Sequence, residues 1–145
     1  MAKTDKQIAW YWCSKYIRLR DAIEYHKKYP ESPFGYVKCC TCPRILIWNK
    51  NCDAGHYISK GNRGLSGVYF DERNIHAQCK NCNGFEQGRT LKYRRFLIEK
   101  YGESVVDELH FLDRNQSYKY KIIGIGEMYK QMYEALKEQS DDRSD

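Results

Sequence analysis

The chain has no apolar stretch approaching the ~20 residues that span a bilayer. Its first residues, Met1 to Lys6, are polar and charged, with no hydrophobic segment of an export signal. These absences exclude a transmembrane helix, argue against secretion and set the expectation of a cytoplasmic protein. Internal repeats and low-complexity stretches are missing too. Negative charge is in short supply: 25 Lys and Arg stand against 19 Asp and Glu, a net +6. The acidic Ser140 to Asp145 segment leaves the remainder more basic still. With 13 tyrosines, such a surface suits phosphate contact and base stacking. An ordinary solvated basic face explains the charge alone equally well. At 145 residues the chain has the size of one compact domain, with room for appended helices.

What the chain does have is cysteine. There are seven, an odd number, and without an export signal a disulfide framework is a poor account of them. Four form two Cys-x-x-Cys pairs, Cys39/Cys42 and Cys79/Cys82, and two such knuckles make a four-thiolate zinc site. Four thiolates around Zn²⁺ form a closed centre, which fits a structural role rather than a catalytic one. Cys40, beside a knuckle residue, is an ambiguous alternative ligand, whereas Cys13 and Cys52 read as packing thiols. A redox role for Cys-x-x-Cys is disfavoured, because no thioredoxin-like βαβ pattern accompanies it.

Hydrophobic periodicity predicts a helix from Asp5 to Tyr29, broken by Pro30 and Pro33. Its aromatics are expected in the core, with Lys15 and Arg18 between the apolar stripes. Residues 36–58 read as short extended pieces, with Ile45 to Trp48 and Ala54 to Ile58 as a hairpin across Asn49-Lys50-Asn51. Ser59 to Gly67 is a basic glycine loop, and Val68 to Phe70 is a candidate return strand. Helices are expected after Cys79, from Leu91 to Tyr101 closed by Gly102, from a Ser104 N-cap, and from Glu127 to Glu138. Ser117 to Ile123 is ambiguous between strand and helix. Met128, Met132 and Leu136 form a stripe for core or dimer packing. The resulting division is an N-terminal helix (1–33), a zinc-stabilised core (34–102), a C-terminal helical segment (103–139) and an acidic disordered tail (140–145).

The 36 residues between the knuckles carry two of the four histidines, His56 and His76, together with Asp53 and Asn74. Asn83 and Glu86 follow the second knuckle. A histidine ending a candidate strand, an Asn before a second knuckle and an Asn on the helix after it resemble the HNH, or His-Me finger, nuclease motif. The resemblance implies an α+β protein with a ββα-metal core. In that mapping His56 is the general base, Asn74 the middle Asn that orients its loop or ring, and Asn83 with Glu86 the helix side of a metal site.

The runs KYIRLRDA (15–22), GYVKCCTC (35–42), DAGHYIS (53–59) and YFDERNIHAQCKNCN (69–83) resemble, more specifically, the NinG (Rap) recombination proteins of lambdoid phages. That resemblance covers residues 8 to 110. It implies a structure-selective endonuclease acting on branched recombination intermediates such as D-loops and Holliday junctions. It also implies a divalent-metal requirement, a homodimer, phage recombination partners and a place in the host cytoplasm. One position departs from the HNH pattern: Gly55 stands where an Asp metal ligand is common immediately before the histidine. Asp53 lies three residues before His56, so on a regular strand it faces the opposite side and is expected to reach the metal only through a bulge. His76 is the alternative ligand.

On this reading neutral His56 takes a proton from water. Mg²⁺ or Mn²⁺, held by Asn83 and some of Asp53, His76 and Glu86, supports the departing oxygen. Lys60, Arg63, Arg89, Lys92, Arg94 and Arg95 are the candidate phosphate contacts. Two rivals stand beside this reading: a zinc-stabilised DNA-binding module without catalysis, and an HNH nicking enzyme of relaxed specificity.

Overall fold

The computed structural model describes residues 2–61 and 64–143, without the side chains of 60, 61, 64, 142 and 143. Among the described residues it is an α+β arrangement of four α-helices and three two-stranded antiparallel sheets. Helix α1 spans Asp5–Lys28 and starts on a capping box, in which the Thr4 side chain accepts from Gln7 N while the Gln7 side chain accepts from Thr4 N. Such caps are worth about 1 kcal/mol. The basic His26, Lys27 and Lys28 complement its C-terminal end.

Strands β1 (Tyr36–Lys38) and β2 (Ile45–Ile47) pair with each other, Val37 opposite Leu46. This corrects the expected hairpin. The segment at 45–47 turns back through the first knuckle rather than forward through Asn49-Lys50-Asn51. The Cys39 N–H donates to Arg44 O at 2.9 Å, so the knuckle itself is the turn. Strand β3 (Cys52–His56) instead pairs with β6 (Ile75–Cys79), Cys52 opposite Cys79 and His56 opposite Ile75. Between them β4 (Lys60–Gly61) and β5 (Gly64–Leu65) form a minimal ribbon. Val68 to Phe70 forms a turn rather than a strand, with Val68 and Phe70 buried.

The β3–β6 pair is enclosed between helices. Its Cys52, Ala54, Ile75, Ala77 and Cys79 join the clusters built on α1, through Cys13, Ile17, Leu19 and Ala22. The free edge of β6 is sealed by two adjacent α1 side chains. Asp21 Oδ2 accepts from Ala77 N at 2.7 Å, and Arg20 donates to the Ile75 and Glu72 carbonyls. A buried edge therefore keeps its backbone partners.

After β6 the chain makes one π-helical turn, Asn81–Phe85, and then breaks. Gln87, Gly88 and Arg89 take φ of 53°, 80° and 50°, three left-handed residues in a row that re-aim the chain. Helix α2 (Thr90–Tyr101) follows and stops at Gly102, whose φ of 99° suits glycine. Helix α3 (Ser104–Asn115) starts after Glu103, so Ser104 lies inside its first turn and donates to Glu108 rather than capping.

Helix α4 (Ile122–Arg143) resolves the ambiguous 117–123 segment partly into helix. It packs along α1, where Gly126 lets the backbones approach: a Cβ there would lie 3.3 Å from Ala9 Cα. The stripe on α4 is divided. Met132 and Leu136 join the core with Tyr129 and Tyr133, while Met128 is exposed. The expected disordered tail is corrected as far as the structure describes it, since α4 continues to Arg143 and buries Ser140. Ser144 and Asp145 lie outside the described residues.

Candidate metal centre and functional site

The first knuckle closes the β1–β2 turn, and the second joins the end of β6 to the π-helical turn. Folding brings the sulfurs of Cys39, Cys42, Cys79 and Cys82 within 4.8 Å of one another. Backbone N–H groups point at them: Cys79 N donates to Cys39 Sγ at 3.3 Å and Cys82 N to Cys79 Sγ at 3.4 Å. Two guanidiniums add to this, Arg44 Nη1 at 3.8 Å from Cys79 Sγ and Arg89 Nε at 3.2 Å from Cys82 Sγ. Sulfurs this close cannot all ionise unaided. Burial pushes Cys42 up to about 12. Burial also opposes ionisation of Cys82, but hydrogen bonds from Thr41, Cys79, Cys42 and Arg89 bring it down to about 7. A soft divalent cation relieves this conflict, and the donor set can hold a metal such as zinc.

The ambiguous thiol is separate from this centre. Cys40 packs with Tyr93, Tyr57 and Phe96 in the cluster beneath α2, and burial raises its pKa well above the usual thiol value. Burial likewise raises Cys13, and pushes Cys52 to about 12, as expected of packing thiols.

The β3–β6 pair divides the other candidates between two faces. His56 lies on the α1 side, stacked on Trp10 (centroids 4.6 Å apart, planes at 27°) and against Tyr69 (4.2 Å). Its Nε2 is 2.9 Å from Tyr69 O. A carbonyl only accepts, so Nε2 carries the proton and Nδ1 holds the lone pair. Burial pulls the ring's pKa down to about 4; the Tyr69 bond opposes this and Lys6 adds to it.

Asp53 faces the other side, as strand alternation requires, and β3 has no bulge. It nevertheless meets Asn83, whose Nδ2 donates to Asp53 Oδ2 at 3.1 Å. Asp53 and Asn83 thus meet on the face opposite His56 without a bulge in β3. Lys80 Nζ also sits 2.7 Å from Asp53 Oδ1. Glu86 turns instead toward Arg89, 3.7 Å away.

Two candidates are built into the interior. Asn74 is fully buried: its Oδ1 accepts from Ile58 N, and its Nδ2 donates to Ile58 O and Val68 O, at 2.8 to 2.9 Å. It fastens both ends of the 58–68 loop that begins two residues after His56. His76 is 1% exposed, with Nε2 2.9 Å from Tyr101 Oη and Nδ1 3.4 Å from Tyr93 Oη. Burial first, then the Arg20 and Lys100 charges, hold its pKa well below the usual histidine value. Both ring nitrogens are engaged inside the core, so His76 is placed as a structural side chain rather than a ligand.

Gln78, which drew no attention in the sequence, lies over Gly55. A Cβ at position 55 would fall 2.0 Å from Gln78 Oε1. Gln78 Nε2 donates to Thr41 Oγ1 and to Gly88 O, both at 2.9 Å, while Oε1 has no protein partner. Thr41 Oγ1 lies 3.5 Å from Cys39 Sγ, so this amide links the cysteine centre to the strand carrying His56.

Of the candidate phosphate contacts, Lys92 and Arg95 line a cleft of about 500 Å³ beside the first knuckle, together with Lys28 and Lys38. Lys28 and Lys38 were not legible as partners, because they come from α1 and β1, far from α2 in sequence. Arg94 is exposed on α2. Arg89 is committed to Cys82 and Glu86. The Lys60 side chain and Arg63 lie outside the described residues.

A small α+β chain tied together by a four-cysteine centre is the class of protein that this fold and site define. The family model described as "Bacteriophage Lambda NinG protein" matches residues 10–141, and the chain belongs to that family. It is 38% identical to the "Protein ninG" of Salmonella phage P22 over 73 residues, which is 50% of this chain and 34% of that one. It is 44% identical to that of Enterobacteria phage H19B over 57 residues, covering 39% and 27%. Against that of Escherichia phage lambda it is 36% identical over 73 residues, covering 50% and 34%. The chain thus covers about a third of the length of these relatives. No solved structure matches it. Among the described residues, no helix is long and apolar enough to cross a membrane.

Proposed function

We propose that this protein is a structure-selective DNA endonuclease, with an HNH-like ββα-metal core, that hydrolyses phosphodiesters in branched recombination intermediates such as D-loops and Holliday junctions. NinG membership supports this reading, and one observation carries it: His56 is held neutral, with its tautomer fixed by Tyr69 O. Its Nδ1 is therefore the nitrogen that takes a proton from the attacking water, a contribution of roughly 10²–10⁴-fold. Asn74 holds the adjoining loop, so the carbonyl environment of His56 stays in place.

Asp53 and Asn83 supply oxygen donors of the type Mg²⁺ or Mn²⁺ takes, but on the face of the β3–β6 pair opposite His56, so an ion at that pair is not placed to share a phosphate with His56 Nδ1. Lys80 already neutralises Asp53, so a cation there competes with an ion pair. That same pair favours the second reading, a zinc-stabilised DNA-binding module without catalysis. The proposed setting is the host cytoplasm, where thiols stay free for metal, in concert with phage recombination proteins. A homodimer would use Tyr120, Ile123 and Met128, which α4 and the turn before it leave exposed.

The test is cleavage of a labelled four-way junction and its matched linear duplex with Mg²⁺, Mn²⁺ or EDTA at ~100 mM salt. Metal-dependent cutting of the junction and not the duplex is the expected result. Equal cutting of both indicates a nicking enzyme of relaxed specificity, and binding without cutting indicates the module.

A further inference from the structure

Two basic surfaces flank the β3–β6 pair, and they differ in chemistry. The cleft beside the knuckle offers Lys28, Lys38, Lys92 and Arg95 with one aromatic, Phe96. That set meets phosphates but offers little for a base to stack on. The outward face of α1 is different. Lys3, Gln7, Trp10, Tyr11, Ser14 and Arg18 recur at helical spacing and line a shallow groove of about 360 Å³. Its two aromatics, Trp10 and Tyr11, sit between a cation at either end, Lys3 and Arg18.

We propose that this groove binds single-stranded DNA, receiving the unpaired nucleotides at a branch and leading that strand past Trp10 to His56. The inference rests on the proposed endonuclease reading for its last step, but binding in the groove does not. Tyr11 is 43% exposed and presents its ring to the groove. The Lys3 and Lys15 ammonium groups each lie 4.9 Å from its centroid. Both cations lie over the ring itself, so a base stacking on Tyr11 displaces one of them, which is then free to meet the adjoining phosphate. Arg18 is held in place by Ser14 O at 3.2 Å and Trp48 O at 3.3 Å. Trp10 joins groove to site, since its ring stacks on His56.

Charge complementarity selects the occupant. Between residues 2 and 18, Asp5 is the one acidic residue, against Lys3, Lys6, Lys15 and Arg18. An acidic ligand with flat apolar faces fits this set. Stacked bases within a duplex cannot offer those faces, whereas unpaired bases can. The sequence assigns these aromatics to the core by their spacing, and Trp12 and Tyr16 do pack there. The groove lies on the neighbouring face of the helix, beside the stripe that packs into the core.

The experiment is fluorescence anisotropy of the full chain with a labelled oligothymidylate and with a labelled duplex of equal length. Both are titrated against salt for wild type, Tyr11→Ala, Lys3→Ala and the cleft variant Lys38→Ala, and folding is checked by circular dichroism. Tyr11→Ala is expected to weaken oligothymidylate binding roughly 5- to 100-fold while changing duplex binding far less. Lys3→Ala is expected to lower the oligothymidylate salt slope by about 0.7. Lys38→Ala is expected to act chiefly on the duplex. If Tyr11→Ala, folded, binds oligothymidylate as wild type does, or loses both ligands equally, the groove is overturned. A protein that binds oligothymidylate through Tyr11 but cuts no junction keeps the groove and loses the endonuclease. One that cuts junctions with unchanged Tyr11→Ala binding does the reverse.

Discussion

The Gln78 side chain occupies the space that a side chain at Gly55 would take, with Oε1 2.0 Å from the position of a Cβ there. The glycine immediately before His56 is therefore required by packing. Gly55→Asp, which inserts the carboxylate common in HNH nucleases, is expected to destabilise the fold by about 1–3 kcal/mol through overpacking. Adding Gln78→Ala should recover part of that loss. Urea melts of the single and double variants measure the coupling; simple additivity would mean that Gln78 and position 55 do not compete.

The cysteine centre predicts one metal ion per chain. Chelation, or Cys42→Ser or Cys82→Ser, should release it and unfold the knuckle region, because both knuckles close turns of the core. Cys40→Ala should retain one ion per chain, since Cys40 packs under α2 rather than facing the centre. Metal content by atomic spectroscopy separates these outcomes. Loss of metal from Cys40→Ala would place that thiol among the ligands.

Acid sensitivity follows from the buried histidines. His56 has a folded pKa of about 4 against an ordinary 6.5, and His76 is displaced in the same direction. Protonation thus favours the unfolded chain. Their contribution to stability is complete above pH 6.5 and is lost as pH falls from there through 4. His56→Gln keeps a donor for Tyr69 O and removes one titrating group. The slope of unfolding free energy against pH between 4.5 and 6 should fall by up to one proton. An unchanged slope would show that His56 titrates normally in the folded state.

Asn74 makes three hydrogen bonds that hold Ile58 and Val68. Asn74→Ala leaves the Ile58 N–H and C=O without this partner, while Val68 O keeps Asp71 N, so a loss of about 2–4 kcal/mol is expected. The Ile58 amide should also exchange much faster by NMR hydrogen exchange. A protected Ile58 amide in the variant would contradict the clasp.

Local features of the fold were legible in the sequence. The 3–4 periodicity of α1, Gly102 at the end of α2 and the spacing of two Cys-x-x-Cys pairs each report on neighbouring residues. Strand pairing was not legible, because Ile45–Ile47 has an equally good apolar pattern for either neighbour and the knuckle decides between them. Among the site residues, spacing located His56, Asp53 and Asn83, and strand alternation already set Asp53 opposite His56, but not what each would meet. The partners that define them come from afar: Trp10 from α1, Tyr69 from the loop, and Gln78 across the pair from Asp53. Arg89 read as a phosphate contact because its bond to Cys82 forms only once the three left-handed residues turn the chain.

The central claim is that His56 Nδ1 accepts the proton from water during strand cleavage. Single-turnover cutting of a labelled four-way junction by wild type and by His56→Gln, at saturating protein and Mg²⁺, tests it most directly. The account predicts a rate loss of roughly 10²–10⁴-fold, with junction affinity and metal content unchanged. A folded His56→Gln protein that cuts at the wild-type rate would contradict it.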